Sequence, residues 1–279
     1  MAAIKANGYG HGLVRVARAL YDSDGFGVTS VDEALQLREA GIRAPITLLE
    51  GFFHPDELPL IVQHRLDLLL HHSEQIDALE QAALHGPIRV WLKVDSGMHR
   101  LGIAPEQVAR QWQRLERHPA LEPLGQMTHL ATADEPGHPA TKAQLVRFHA
   151  TTGALPGERA IANSAGVLGW PESHADWVRP GIMLYGISPF VGGRAGQHGL
   201  RPVMTLSSEL IAVNRMLPGD AIGYGGTWVC PEPMPVGVVA IGYGDGYPRH
   251  APNGTPVLVN GRRVPLIGRV SMDMICVDL

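Results

Sequence analysis

Several things are scarce in this sequence, and each scarcity narrows what the chain does. Its two cysteines, Cys230 and Cys276, form no disulfide framework; that fits a reducing compartment and a cytoplasmic protein. No apolar run reaches the length of a membrane-spanning helix. No secretory leader opens the chain, which starts instead inside a strand. Basic residues gather in no long run and the formal net charge is -4, so neither nucleic acid nor a membrane surface is an expected partner. The 14 histidines are scattered. Without a His-x-x-x-His or Cys-x-x-Cys pair they mark no metal site, and His71 and His72, beside an apolar strand, read as surface residues. Gly8, Gly10 and Gly12 miss the spacing of the dinucleotide fingerprint, and the absence of a following Gly-Lys-Ser/Thr excludes a P-loop.

What is present is a chain of 279 residues, 45% apolar and 18% charged, enough to bury a sizeable core. From Met1 to about Gly186, strand and helix patterns alternate. Strand candidates are Ala2–Ala6, Gly25–Ser30, Ile46–Glu50, Asp67–His71, Arg89–Asp95, Gly125–Leu130, Ala160–Asn163 and Arg179–Tyr185. Between them, Ser30-x-x-Glu33 opens a helix over Val31–Ala40 as a capping box. Another helix follows Ser73, over Glu74–Leu84. Val108, Trp112 and Leu115 recur at helical spacing and predict a core-facing stripe. Eight strands with connecting helices suggest a parallel (β/α)8 barrel of the TIM type, with a doubly wound sheet as the alternative. Beyond residue 200 the pattern changes to short apolar runs, Leu206–Val213, Val236–Gly242, Pro256–Val259, Val264–Val270 and Met274–Leu279, separated by Pro and Gly turns. Asn260-Gly261 between two of them is a hairpin signal. The expected organisation is a barrel over 1–199 and a mostly antiparallel β domain over 200–279, incomplete because the chain stops within an apolar strand.

Barrel enzymes place their chemistry at strand C-termini. The first strand there carries Lys5, followed by Ala6-Asn7-Gly8-Tyr9-Gly10-His11-Gly12; a lysine so placed suits imine formation. Other strand ends read Lys93-Val94-Asp95-Ser96-Gly97-Met98-His99-Arg100, Thr128-His129-Leu130-Ala131-Thr132-Ala133-Asp134 and Asn163-Ser164-Ala165, and Arg179-Pro180-Gly181-Ile182 opens the last strand. The β domain adds Gly223-Tyr224-Gly225, Gly242-Tyr243-Gly244-Asp245-Gly246 and Arg269-Val270-Ser271-Met272-Asp273. Each stretch resembles a motif of the alanine racemases, in that family's order and across essentially the whole chain.

The resemblance implies pyridoxal 5'-phosphate as cofactor and interconversion of L- and D-alanine. The product would supply D-alanine for peptidoglycan, or alanine would be interconverted for catabolism. Lys5 resembles the cofactor-linked lysine and one acid/base group. Tyr9, Ser164 and the backbone N–H groups of Gly181 and Ile182 resemble the phosphate cradle, with Asn163 beside it; taken alone, Asn163-Ser164 reads as a helix cap. Arg179 matches the arginine at the pyridine nitrogen and His129 its buttress. Arg100 resembles the arginine near the cofactor's phenolic oxygen and the substrate. Lys93 matches a position that carries a carbamate in many members; read alone, it is an unmodified lysine paired with Asp95. Removing a proton from one face of the α-carbon and returning it to the other calls for two groups. Tyr224 matches the second, reaching the lysine of the other subunit of a homodimer with shared active sites. Met272, Asp273 and Tyr243 resemble substrate-facing and entryway residues. Rival readings are another barrel enzyme of this cofactor, an amino-acid decarboxylase or D-amino-acid lyase, and a truncated, inactive cofactor-binding fragment. Family members extend beyond this chain at both ends, so it is expected to be an internal piece.

Overall fold

A computed structural model describes residues 1–279, which divide into two compact units, Met1–Met204 and Thr205–Leu279. In the first unit, seven short strands run parallel in the order of the chain: β1 (Ala2–Ala3), β2 (Phe26–Val28), β3 (Ile46–Leu48), β4 (Asp67–Leu70), β5 (Ile88–Lys93), β6 (Leu121–Met127) and β7 (Glu158–Ala160). An order that never reverses excludes a doubly wound sheet. The eighth place is taken by Trp177–Pro180. Trp177 and Arg179 donate to the carbonyls of Arg159 (3.0 Å) and Ala162 (2.8 Å), and the Ala3 N–H donates to Pro180 at 2.9 Å. The ring of strands therefore closes.

The last strand lies earlier than the expected Arg179–Tyr185, because Pro180 has no N–H for a ladder; Ile182–Tyr185 form a 3-10 turn instead. The first strand is likewise shorter than Ala2–Ala6. The Ile4 N–H makes the last ladder bond, to Gly27 at 3.0 Å. Lys5 then starts a turn in which Ala6, Asn7, Gly8 and Tyr9 all have φ between 53° and 61°.

Burial follows strand alternation. Leu68, Leu70, Val90 and Leu92 pack outward with helix residues such as Val108, Trp112 and Leu115, the stripe read from the sequence. Leu69, Trp91, Met127 and Ala160 form the inner cluster. The helix Val31–Glu39 buries Val31, Ala34 and Leu37, and Ser30 Oγ accepts the Glu33 N–H at 3.3 Å. The Glu33 carboxylate does not close the expected box onto Ser30. It accepts from the Thr29 N–H (3.0 Å), the Thr29 hydroxyl (3.1 Å) and the Asn7 N–H (3.2 Å).

The second unit is an antiparallel five-stranded sheet built from β8 (Leu210–Met216), β11 (Met234–Val239), β12 (Pro256–Val259), β13 (Arg262–Ile267) and β14 (Ile275–Asp278) in the order β12-β13-β14-β11-β8. A two-stranded ribbon of β9 (Ala221–Ile222) and β10 (Trp228–Val229) completes it. The β12–β13 hairpin turns on Asn260 (φ 47°) and Gly261 (φ 81°), the left-handed pair that a two-residue loop requires. Val239, Ile241, Val264, Leu266, Val270, Ile275 and Val277 form its core. No helix of either unit is long and apolar enough to cross a membrane.

Candidate active site

The C-terminal ends of the barrel strands surround a cavity of about 770 Å³ lined by Lys5, Tyr9, Lys93, Arg100, His129, Asn163, Ser164, Arg179, Gly181 and Ile182. Every barrel residue singled out in the sequence for a site role is on this wall. A larger cavity, of about 1120 Å³, lies around Arg38, Arg65, Asp67 and Arg89, at the N-terminal ends of the strands, away from these groups.

One side of the site is a cradle. Ser164 Oγ accepts the Gly181 N–H at 2.8 Å and the Met183 N–H at 3.3 Å. Ile182 starts a 3-10 turn, where backbone N–H groups lack partners within the turn. A Cβ built on Gly181 would lie 2.5 Å from the Tyr9 hydroxyl, so a side chain there would displace that hydroxyl from the cradle. Burial raises the Tyr9 phenol, which keeps its proton and can donate it in a hydrogen bond. Asn163 serves as the cap that its sequence suggests, its amide oxygen accepting the Gly166 N–H at 3.0 Å while its amide N–H donates to Leu130 at 3.2 Å.

The other side is cationic. Lys5, Lys93, Arg100 and Arg179 face two carboxylates, Glu50 and Asp134. Arg179 is 7% exposed; its Nη2 donates to the carbonyls of Thr128 and Ile161, and its Nη1 is buried without a partner. The guanidinium is thus held by backbone, with no hydrogen bond to the His129 ring expected to buttress it. Burial, then the charges of Arg179, Lys93 and Arg100, push His129 down to about 3, so the imidazole is neutral at physiological pH. Burial, then Arg179 and Arg100, lower Lys93 to about 8. The pairing of Lys93 with Asp95 does not form. Asp95 accepts instead from the Gly97 and His99 N–H groups and contacts the His99 ring, each at 3.0 Å. That loop carries His99 in left-handed backbone, at φ 55°.

His71 is not the surface residue expected: it is half-buried, with Nε2 3.1 Å from the Glu50 carbonyl, whereas His72 is exposed. Glu50, Asp134, Thr128 and Tyr185 were not assigned roles from the sequence. Glu50 stands just beyond the end of β3, which is the signal that finds it, whereas Asp134 lies farther along the loop after β6. Tyr185 lies in the 3-10 turn and has no such signal.

Tyr243, Met272 and Asp273 stand together on the surface of the second unit, and Tyr224 lies exposed on the same unit near Arg269. Tyr224 is 68% and Met272 55% exposed. The Tyr243 and Gly244 N–H groups donate to Ser271 (3.0 Å) and Met272 (2.8 Å), tying two loops together, and a Cβ on Gly242 would lie 2.2 Å from the Met272 carbonyl oxygen. The Met272 N–H makes no bond within the protein. A Cβ on Gly225, next to Tyr224, would be 3.4 Å from the Arg269 guanidinium.

Comparison with known proteins gives a consistent result. Residues 1–189 match the family described as "Alanine racemase, N-terminal domain" and residues 203–279 "Alanine racemase, C-terminal domain". An alanine racemase of Shewanella sediminis is 55% identical over 280 residues, which take in 100% of this chain and 78% of that protein. The crystal structure of biosynthetic alanine racemase from Pseudomonas aeruginosa superposes with a TM-score of 0.97 at 48% identity, covering 100% of this chain and 78% of that one. Alanine racemase from Acinetobacter baumannii gives 0.93 at 39% identity, with the same coverage. Matches to both halves in order set aside the decarboxylases and D-amino-acid lyases, and the chain belongs to the alanine racemase family.

Proposed function

We propose that the barrel cavity holds pyridoxal 5'-phosphate and that Lys5 and Tyr224 exchange the α-proton of alanine on opposite faces. The reaction follows from the family: the chain is a pyridoxal-phosphate-dependent alanine racemase, an isomerase acting on a small amino acid. The residues present fit the cofactor. The Ser164, Gly181 and Tyr9 cradle, which a side chain at position 181 would fill, suits a phosphate dianion. The orphaned Arg179 Nη1 has a donor to spare for a ring nitrogen. When bound, pyridoxal phosphate supplies an aldehyde that condenses with an amine and a ring that takes up the electron pair left by the departing proton.

The chain's own residues do the rest. The Lys5 amine holds the cofactor and moves the proton on its face. Arg179 is a hydrogen-bond donor only and stays cationic, so it would donate to a ring nitrogen and disfavour that nitrogen's protonation. That favours rapid return of the α-proton over side reactions. His129, neutral, fills the wall without adding charge. Arg100 and the free Met272 N–H suit the substrate carboxylate, with Asp273 and Tyr243 beside them. Lowered to about 8, Lys93 presents a share of neutral amine near neutral pH. That form adds carbon dioxide, its nitrogen bonding the carbon and its proton going to solvent, to give a carbamate that orients Arg100. The chain acts as a homodimer in which Tyr224 of one copy serves the Lys5 of the other.

The observation that carries this reading is the convergence of Lys5, Tyr9, Ser164, Gly181 and an unpartnered Arg179 on one cavity. The test is borohydride reduction of the protein with pyridoxal phosphate, followed by peptide mapping. The expected product is a pyridoxyl group on Lys5; labelling of another lysine, or of none, defeats it.

A further inference from the structure

Lys5 and Tyr9 belong to one turn of backbone that most residues avoid. Ala6, Asn7, Gly8 and Tyr9 are consecutively left-handed, a run seldom seen beyond single residues, so something outside the turn must hold it. Part of the answer is the support already described for Asn7, whose N–H reaches Glu33 and whose side-chain oxygen accepts the Leu13 N–H at 2.9 Å. The other part is a stack of three rings. Tyr185 stacks on both Tyr9 (ring centroids 4.5 Å apart, planes 23° apart) and His11 (4.7 Å, 30°). Its hydroxyl donates to the Ala3 carbonyl on β1 at 3.2 Å. The His11 Nδ1 lies 3.1 Å from the Gly8 carbonyl and 3.0 Å from the Tyr9 carbonyl. Both are acceptors, so Nδ1 carries the proton and ties down the carbonyl end of the turn.

We propose that Tyr185 and His11 are positioning residues which clamp this turn, so that the Tyr9 hydroxyl is held at the Gly181 cradle on the same wall as Lys5. Tyr185 is anchored at both ends, its ring on Tyr9 and its hydroxyl on the strand that leads to Lys5. Without the ring, Tyr9 has no stacking partner on that side and its turn is free to relax toward ordinary backbone. The hydroxyl would then leave the cradle. The inference rests on the reading of Tyr9 as a phosphate contact, and it makes Tyr185 matter specifically for the phosphate end of the cofactor.

The test compares dissociation constants of full-length protein for pyridoxal phosphate and for pyridoxal, which lacks the phosphate, in wild type, Tyr185→Leu, Tyr185→Phe, His11→Asn and Tyr9→Phe. Tyr185→Leu should weaken pyridoxal phosphate by about 10- to 100-fold, the scale of one charge-assisted hydrogen bond. Pyridoxal should be nearly unaffected, and the phosphorus resonance of the bound phosphate should shift. Tyr185→Phe keeps the stack and should restore most of the affinity; His11→Asn should show a smaller loss of the same kind. Equal losses for both ligands, or none, in Tyr185→Leu and His11→Asn would overturn the clamp by reducing the pair to ordinary packing. Should Tyr185→Leu fail to fold, the phosphate selectivity of His11→Asn decides alone. Tyr9→Phe separates the two readings. If it leaves the selectivity unchanged, the phosphate role of Tyr9 fails and the clamp falls with it. If it moves the selectivity while the two clamp variants do not, only the clamp fails.

Discussion

The barrel and the β unit hold their candidate groups in opposite ways. In the barrel, Lys93, His129 and Arg179 are buried close together; burial, and for Lys93 and His129 the neighbouring cations as well, moves their proton affinities far from ordinary values. In the β unit, Tyr224 and Met272 stand in solvent on loops held by backbone hydrogen bonds. The barrel therefore carries its own electrostatic tuning, whereas the β unit supplies correctly shaped loops. A tyrosine as base needs surrounding positive charge to lower its proton affinity, and the Arg269 guanidinium lies close to the neighbouring Gly225. The proposed shared-site dimer would account for this division, one copy bringing the tuned cavity and the other the exposed tyrosine.

The largest effects test that division directly. Lys5→Ala should lower racemisation by about 10⁴-fold or more, at the top of the range for a positioned acid/base group because the lysine also holds the cofactor. Tyr224→Phe should cost about 10²- to 10⁴-fold in both directions while cofactor binding stays intact. Rates from both enantiomers, with cofactor absorbance as control, check both expectations. Mixing the two inactive variants under conditions that exchange subunits sharpens the test. With shared sites, a mixed dimer has one doubly altered site and one intact site, so roughly a quarter of wild-type activity should return. No recovery despite demonstrated exchange would place both groups in one copy.

A middle-sized effect belongs to the barrel alone. In cofactor-free protein without carbon dioxide, Lys93 binds its proton less tightly when folded, at about 8, than when unfolded, at the ordinary lysine value. Between these values the unfolded chain holds more protons, so stability should rise as pH goes from about 8 to about 10.5. Lys93→Met removes the buried amine. It should stabilise the protein near pH 7, by at most about 3 kcal/mol at about 1.4 kcal/mol per pH unit, and flatten that rise. Urea midpoints across the range measure it. A wild-type slope that bicarbonate abolishes would point to a carbamate on Lys93; an unchanged slope in Lys93→Met would assign the effect elsewhere.

How far the sequence was legible follows the same contrast. Alternation of apolar residues and turn signals located the barrel strands to within a few residues (those at Leu121–Met127 and Glu158–Ala160 begin earlier than read), the Asn260-Gly261 hairpin and the stripe of Val108, Trp112 and Leu115, because each depends on neighbours in sequence. Strand ends gave Lys5 and Lys93 for the same reason, whereas Arg179 was read at the opening of the last strand. What stayed hidden depends on distant partners. Glu33 has the spacing of a capping box, yet its carboxylate turns to Asn7 on another element. Lys93 and Asp95 have the spacing of an ion pair, yet the backbone of residues 97–99 claims the carboxylate. The last strand was placed too late because ring closure occurs over Trp177–Pro180, and only the neighbouring strands reveal that.

The smallest effects compare left-handed backbone in the two units. In the hairpin, Asn260 at φ 47° is exposed and the turn needs that conformation. Asn260→Ala should therefore cost about 0.5–1 kcal/mol with no change in activity, since alanine tolerates the left-handed region less well than asparagine. In the barrel, Ala6 occupies the same region at φ 53°, a cost of about 1–2 kcal/mol for a residue with a Cβ. Ala6→Gly removes that penalty but gives the unfolded chain more freedom, leaving a net gain of about 1 kcal/mol or less. If the turn is held in place to position Lys5 and Tyr9, glycine also widens the conformations it can sample, and kcat should fall a few-fold even as the protein becomes slightly more stable. Denaturant midpoints with racemase rates separate these outcomes. A more stable Ala6→Gly with unchanged kcat would mean that the ring stack and Glu33 fix the turn whatever residue occupies it. A fall in both would mean that the alanine methyl is packed usefully and its strain is repaid locally.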